Sequence, residues 1–338
     1  MSETAQHLIA PGTAGAPRPR RPRLNLAVLG LLPSWLLMGL ALILPMAIIA
    51  AVSVSTRGAY GSFAWDFDLA GYRQILFNEG WSGELELTGQ YLAIIGRTVL
   101  LAGVTTLICL LVAVPVAYHI ACQPPRTKAI LVYLITLPFW VSMILRVYAW
   151  MIILGRDGPL PRILETLGAA PGLSLMYNDG ATLLAMVYTY MPLMVLPVFA
   201  SIEKLDGTLI EAAHDLYGNR WVTLRRVILP LTAPGLISGA ILVFVPSLGA
   251  VLEPTLMGGG KQMMMGSLIQ LQFTSARNWP FGAAIAMTLM VLVMIVLIVI
   301  ARRSAASEPT FESAASTASP ESTSSSTAET VRPRMRML

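Results

Sequence analysis

Two charged residues, Arg146 and Glu253, lie deep inside strongly apolar stretches of this 338-residue chain. A charge in such surroundings is costly when the stretch spans a membrane, and it marks a functional site by default. Two interpretations are open. The side chains could form an ion pair that holds a gate shut, or Glu253 could attract a cationic solute while Arg146 bonds backbone carbonyls.

A second set of candidate residues lies in the polar segment 211–230, EAAHDLYGNRWVTLRRVILP, between two long apolar stretches. Its small alanines permit close helix approach, and its leading glutamate favours a helix N-terminus. A short, partly apolar helix of this kind indicates docking to a cytoplasmic partner, with an unpartnered amphipathic surface helix as the alternative. The residues expected to make the contact are Glu211, Ala212, Ala213, Asp215, Gly218 and Arg220.

The composition places these residues in a membrane protein. Only 12% of the residues are charged, about half the fraction typical of soluble domains. Several apolar runs reach the roughly 20 residues that a helix needs to cross the hydrocarbon. The fold class predicted is all-α, a polytopic membrane bundle with six transmembrane helices. The predicted spans are 31–54, 94–120, 129–154, 180–200, 233–254 and 281–301.

The basic residues predict the orientation. The N-terminal tail, the loops 121–128 and 201–232 and the residues after the last span, 302–338, together hold 15 of the 23 Lys and Arg residues. An excess of Lys and Arg is typical of cytoplasmic segments. We therefore expect both termini in the cytoplasm, and the net charge of +5 reflects topology rather than nucleic-acid binding.

The composition divides the chain into three predicted regions. Residues 1–24 are rich in Pro, Arg and Ala, and residues 304–338 begin with a Ser/Thr/Ala/Glu tract, so we expect two disordered cytoplasmic tails. Residues 25–303 form the predicted transmembrane domain. The outer segment 55–93 is expected to hold amphipathic or interfacial helices, with Tyr72–Phe77 the best candidate.

No residue pattern indicates catalysis or a metal site. His119 and His214 lack partners at metal-site or triad spacing, and Cys109 and Cys122 are expected to be reduced packing residues. The string Gly260-Lys261 is followed by Gln262, where a phosphate loop requires Ser or Thr. We therefore expect no cofactor to be bound by this chain.

The segment 211–230 also carries a family resemblance. Glu211-Ala212-Ala213 and the later Val227-Ile228-Leu229-Pro230 resemble the EAA loop of binding-protein-dependent ABC importer permeases, although the usual glycine falls one residue late, at Gly218. Further similar strings lie in 137–154, 195–206, 245–259 and 278–284. They resemble the spermidine/putrescine permease branch, whose members are also similar to permeases for opines and aminoalkylphosphonates.

The resemblance implies a type I ABC importer permease in the bacterial inner membrane. It further implies that the loop is a coupling helix and that the partners are a second, similar permease, two ATP-binding subunits that carry ATP and Mg²⁺, and an extracytoplasmic binding protein. Membrane lipid is a partner as well, and nucleic acid is not. The expected function is uptake of polyamines or a related small amine-bearing solute.

Helical spacing suggests where the solute passes. Phe139, Met143, Arg146 and Trp150 follow an i, i+4, i+7, i+11 pattern and would share one face of an unbroken third span. Aromatic faces attract ammonium groups. The predicted path or gate comprises Phe139, Trp140, Met143, Arg146, Tyr148, Trp150 and Glu253, with plain packing as the alternative.

Two other transporter classes fit less well. A secondary transporter driven by an ion gradient would need several ionisable residues at mid-membrane. A channel would be expected to show a filter motif or a voltage sensor. The chain has neither feature, and an amino-acid ABC permease is the remaining alternative within the importer class.

Overall fold

The computed structural model describes residues 26–58, 62–79, 85–87, 89–168, 175–205, 208, 220–260 and 263–305. The predicted N-terminal tail 1–24 lies outside these residues. Of the predicted C-terminal tail 304–338, residues 304 and 305 belong to the last helix, and the remainder lies outside the described residues.

Helices dominate the described chain, with two short antiparallel hairpins near the start. In chain order the elements are α1 (Leu26–Ser53), β1 (Ser55–Arg57), β2 (Phe63–Phe67), α2 (Ala70–Leu76), β3 (Phe77–Glu79), β4 (Leu85–Leu87), α3 (Gly89–Ala121), α4 (Pro125–Trp140), α5 (Met143–Leu154), α6 (Pro159–Thr166), α7 (Asp179–Glu203), α8 (Arg220–Thr223), a π-helical turn (Leu224–Ile228), α9 (Leu229–Leu231), α10 (Ala233–Leu248), α11 (Leu252–Leu256), α12 (Met265–Thr274) and α13 (Trp279–Ala305).

The prediction of an all-α bundle of up to six spans is confirmed. The segments Pro33–Ser53, Gly89–Ala121, Asp179–Glu203 and Trp279–Arg302 are each long and apolar enough to cross a membrane. The other two candidate spans are bent helix pairs. One bends by 92° between α4 and α5, and the other bends by 66° between α9 and α10.

The outer segment 55–93 differs from its prediction. The helix expected around Tyr72 is present as α2, but β1 pairs with β2 and β3 pairs with β4 in antiparallel hairpins. The aromatic residues Phe63, Trp65 and Phe67 alternate along β2, which suits a strand, although Trp65 and Phe67 are exposed. Phe63 stacks on Trp279 with ring centroids 6.3 Å apart, and Arg57 donates to the Ala276 carbonyl, so the first hairpin is attached to the start of α13.

Three helices, α3, α7 and α10, pack against one another and form the main core. Small residues permit the close approach of α7 and α10. A Cβ added at Gly235 would lie 2.3 Å from the Ser201 Cβ and 2.8 Å from the Pro197 carbonyl oxygen, and one at Gly239 would lie 2.9 Å from the Met194 sulfur. Glycines that let helix backbones approach are typical of membrane bundles.

The helix α4 lies outside this core. None of its 16 residues is buried, and Tyr133 and Trp140 are 64% and 82% exposed. Its one ion pair among the described residues joins Lys128 to Glu203 of α7 at 3.2 Å. Most of its surface is therefore left for lipid or another chain to cover.

The two cysteines are free. Cys109 is fully buried in α3, as expected for a packing residue, and its thiol donates to the Val187 carbonyl at 3.7 Å. Cys122 is exposed one residue beyond the end of α3, so its prediction as a packing residue is wrong.

A buried side-chain bond anchors α12 to α3. The Thr98 hydroxyl accepts a hydrogen bond from the Met265 amide at 3.0 Å and donates to the Ile94 carbonyl at 2.7 Å. Replacing Thr98 by valine keeps the side-chain shape but leaves the buried Met265 amide without its acceptor, which should cost about 1–3 kcal/mol. Thermal unfolding of the purified complex measures this loss.

The matched control for this change is Thr106→Val, because the Thr106 hydroxyl bonds only the Ala102 carbonyl of its own helix. That variant should unfold close to the parent temperature. Equal unfolding temperatures for Thr98→Val and Thr106→Val would contradict the anchoring role of Thr98.

Candidate translocation site at the broken spans

The predicted third and fifth spans are both interrupted by short non-helical breaks. Pro138 lacks the amide that would continue the ladder of α4, and Val141 and Ser142 that follow are extended. In the fifth span α10 ends at Leu248, two residues after Pro246, and α11 starts again at Leu252. Each break is followed by a short helix.

Each of these short helices carries one of the two predicted intramembrane charges in its first turns. Arg146 lies in α5, where its amide bonds the Ser142 carbonyl at 3.1 Å, and Glu253 is the second residue of α11. The helix α11 packs against α5 and α7. The breaks therefore bring a guanidinium and a carboxylate from distant parts of the sequence into the same region.

Glu253 is fully buried, and neither carboxylate oxygen has a hydrogen-bond partner among the described residues. The Nε and Nη1 atoms of the half-buried Arg146 also lack partners there. The two side chains interact electrostatically but do not form a salt bridge in this conformation. The predicted direct ion pair is thus not formed here, and those two Arg146 nitrogens do not bond backbone carbonyls of the described chain.

Residues of α7 complete the site, and sequence reasoning missed them. Thr189 lies beside the Glu253 carboxylate, and Tyr190 lies within electrostatic range of both Glu253 and Arg146. The Tyr190 hydroxyl donates to the Pro246 carbonyl at 3.5 Å. The available signal was the run Tyr188-Thr189-Tyr190, which is polar and aromatic inside an otherwise apolar span.

The predicted single face of Phe139, Met143, Arg146 and Trp150 is wrong, because the break divides it. Phe139 belongs to α4, whereas the other three belong to α5, and the two helices meet at 92°.

The aromatic residues of the predicted path have two different environments. Phe139, Trp140 and Tyr148 are exposed at the surface of the subunit, by 45%, 82% and 49%. Trp150 instead contacts Tyr188 of α7 edge to face, with ring centroids 5.6 Å apart. Only the first three offer open ring faces in this conformation.

The predicted docking residues Glu211, Ala212, Ala213, Asp215 and Gly218 lie outside the described residues. Arg220 begins α8, which leads directly into the π-helical turn Leu224–Ile228. The Thr232 hydroxyl bonds the Ile228 carbonyl at 2.8 Å at the 66° bend before α10. π-Helical turns are frequent at functional sites.

Comparison with known proteins identifies the family. Residues 125–306 match the family "Binding-protein-dependent transport system inner membrane component". The chain is 35% identical over 261 residues to the spermidine/putrescine transport system permease protein PotB of Haemophilus influenzae, covering 77% of this chain and 86% of that protein. It is 34% identical to PotB of Escherichia coli K12 over 259 residues, covering 76% and 90% of the two chains.

The chain belongs to this family. It is a multi-pass inner-membrane permease of a binding-protein-dependent ABC importer, and it is a transport component rather than an enzyme. Permeases of this family work with ATPase and substrate-binding components.

A solved structure confirms the fold of the permease. A chain in the crystal structure of a bacterial alginate ABC transporter, in complex with an alginate-bound periplasmic protein, superposes with a TM-score of 0.65 at 15% identity. The superposition covers 81% of the permease and 92% of that chain. The expected ABC importer permease fold is thereby confirmed.

The described part of the permease contains no group of three or more metal-ligating side chains. His119 contacts Gln123 through its Nε2 atom at 3.3 Å, and His214 lies outside the described residues.

Proposed function

We propose that the permease is one of two transmembrane subunits of an ATP-driven importer for polyamines, such as spermidine and putrescine, or for a related small amine-bearing solute. The observation that carries this proposal is the similarity to two PotB permeases over about three quarters of the chain. Opines, aminoalkylphosphonates and amino acids are the alternative solutes.

The other subunits supply what this chain lacks. Gln262 stands where a phosphate loop requires Ser or Thr, so ATP and Mg²⁺ bind to two copies of a separate ATPase. A second, similar permease completes the path, and an extracytoplasmic binding protein delivers the solute. Both termini of the permease lie in the cytoplasm, as the distribution of Lys and Arg favours.

The solute passes beside the broken third span. Phe139, Trp140 and Tyr148 present exposed rings next to the break, and an ammonium group gains about 0.5–2 kcal/mol from each favourable ring contact. Met143, Arg146, Trp150 and Glu253 line the adjoining gate region. Most of the solute specificity resides in the binding protein, and the permease provides a gated path.

The segment 211–230 transmits the ATPase movement. Glu211, Ala212, Ala213, Asp215, Gly218 and Arg220 form the coupling helix that contacts the ATPase. Displacement of this helix reaches α10 through α8, the π-helical turn and α9, because those elements precede α10 in the chain. ATP binding moves the coupling helix, the bent spans exchange outward and inward openings, and hydrolysis resets the cycle.

Uptake into proteoliposomes tests this function. Radiolabelled putrescine should accumulate only when both permeases, the ATPase, the binding protein and ATP are present. An ATPase variant that binds but does not hydrolyse ATP is the control, and it should reduce uptake to background, since resetting the cycle requires hydrolysis.

Two outcomes would contradict the proposal. Uptake by this chain alone, driven by a proton gradient without any ATPase, would favour a secondary transporter. Binding of a sugar or a metal, but no polyamine, by the cognate binding protein would overturn the solute class while leaving the importer class intact.

A further inference from the structure

Four of the buried side-chain polar atoms that lack a hydrogen-bond partner in the described chain belong to Arg146 and Glu253. A buried carboxylate with no bonded donor is strongly unfavourable, and so is a desolvated guanidinium nitrogen. The two groups have opposite charges and interact without touching. Each group can therefore supply the hydrogen-bond partner that the other lacks.

The surrounding residues do not supply these missing bonds. The Tyr190 hydroxyl donates to the Pro246 carbonyl rather than to Glu253. Thr189 and the Glu253 backbone both approach the carboxylate, but neither contact has the geometry of a hydrogen bond in this conformation. Closer approach of Arg146 would satisfy the unpaired atoms of both residues at once.

The architecture permits such an approach. Neither charge belongs to one of the long continuous helices: Arg146 follows the extended residues Val141 and Ser142, and Glu253 follows the break at 249–251. Short helices that follow a few non-helical residues can move as units when those few backbone angles change. The distance between Arg146 and Glu253 thus depends on how α5 and α11 are placed.

We propose that Arg146 and Glu253 close into a direct ion pair in a second conformation of the transport cycle, and that this pair holds α5 against α11 in that conformation. This inference rests on the importer function and concerns how its gate is controlled, whichever solute passes. The charges stay unpaired in the present conformation and pair in the other. They therefore shift the equilibrium between these two conformations toward the paired one.

The test measures the distance between α5 and α11 in the complete transporter in lipid nanodiscs. Spin labels are placed at Ile152→Cys on α5 and Thr255→Cys on α11, which are both exposed. Cys122 is replaced by serine because it is exposed, whereas Cys109 is fully buried. Distances are recorded without nucleotide and with ATP and vanadate, so no transported solute is required.

The parent should show two distance populations whose ratio changes with nucleotide, the shorter one being the paired state. Arg146→Met and Glu253→Gln should each reduce the shorter population about tenfold relative to the longer one. The double variant should show the same loss as either single variant, since one pair is removed in all three. Arg146→Lys keeps the charge and should retain the shorter population.

Asp157→Asn removes an exposed acidic residue close to the end of α5 and serves as the matched control, with parent-like populations. A single distance under both nucleotide conditions overturns the proposal. A double variant that reduces the shorter population by the product of the two single-variant reductions also overturns it. A Glu253→Gln variant that changes only the half-saturating putrescine concentration also overturns it, because Glu253 would then be a solute ligand. Failure of putrescine uptake with intact distance behaviour would instead reject the proposed solute.

Discussion

Replacing Gly235 by valine is expected to prevent stable folding of the permease. The first carbon of any side chain at this position would lie 2.3 Å from the Ser201 Cβ and 2.8 Å from the Pro197 carbonyl oxygen. The Ser201 Cβ and the Pro197 backbone cannot rotate away, so α7 and α10 must separate. We expect a loss of at least about 3 kcal/mol, at the upper end of the cost of overpacking.

The amount of permease in the membrane and the unfolding temperature of the purified complex measure this effect. Gly103→Val is the matched control in α3, because a Cβ at Gly103 would meet no atom within 4 Å. Gly239→Val should be intermediate, since its shortest contact is with the flexible Met194 sulfur at 2.9 Å. If Gly235→Val and Gly103→Val unfold at the same temperature, the close crossing of α7 and α10 does not stabilise the fold.

The second large effect is expected at Gly266, in the first turn of α12. A Cβ there would lie 2.6 Å from the carbonyl oxygens of both Gly249 and Ala250, at the break between α10 and α11. Gly266→Val should push α12 away from this break and disrupt the adjacent bond between the Met265 amide and Thr98. We expect a loss of about 2 kcal/mol and strongly reduced ATP-dependent uptake.

A double variant distinguishes this mechanism from general destabilisation. If Gly266→Val already breaks the bond to Thr98, then adding Thr98→Val should cost much less than it does in the parent. Unfolding temperatures of the two single variants and the double variant give the comparison. Fully additive losses would show that α12 stays docked, and Gly96→Val, with no atom within 4 Å of its Cβ, controls for valine in a helix.

The approximate positions of the spans could be predicted because hydropathy acts through the bilayer, which imposes the same constraint on every segment. The breaks in the third and fifth spans could not be predicted. Nine prolines lie inside the predicted spans, yet α3 continues through Pro115, and α7 continues through Pro192 and Pro197. Many residues of α7 are buried against neighbouring helices, whereas the exposed α4 ends soon after Pro138.

The candidate site could be predicted only in part from the sequence. Arg146 and Glu253 were identified because charge inside an apolar stretch is unusual whatever the fold. The distance between Arg146 and Glu253 depends on the two breaks and on the packing of α11 against α5 and α7. The role of Thr189 and Tyr190 depends on the same packing. Likewise, the first hairpin after α1 contacts the distant Trp279 through Phe63, which local sequence does not reveal.

The lack of any buried residue in α4 has a consequence for biosynthesis. A newly inserted copy of this chain presents much of that helix to the bilayer until its mate, the second permease proposed above, arrives. Only half-buried residues such as Leu131, Val132 and Ile135 pack the helix against the core. Such unassembled intermediates are natural targets of membrane proteases and quality control. Abundance of this permease should therefore follow the supply of its mate, and co-expression of the two chains should raise its yield far more than a stronger promoter would.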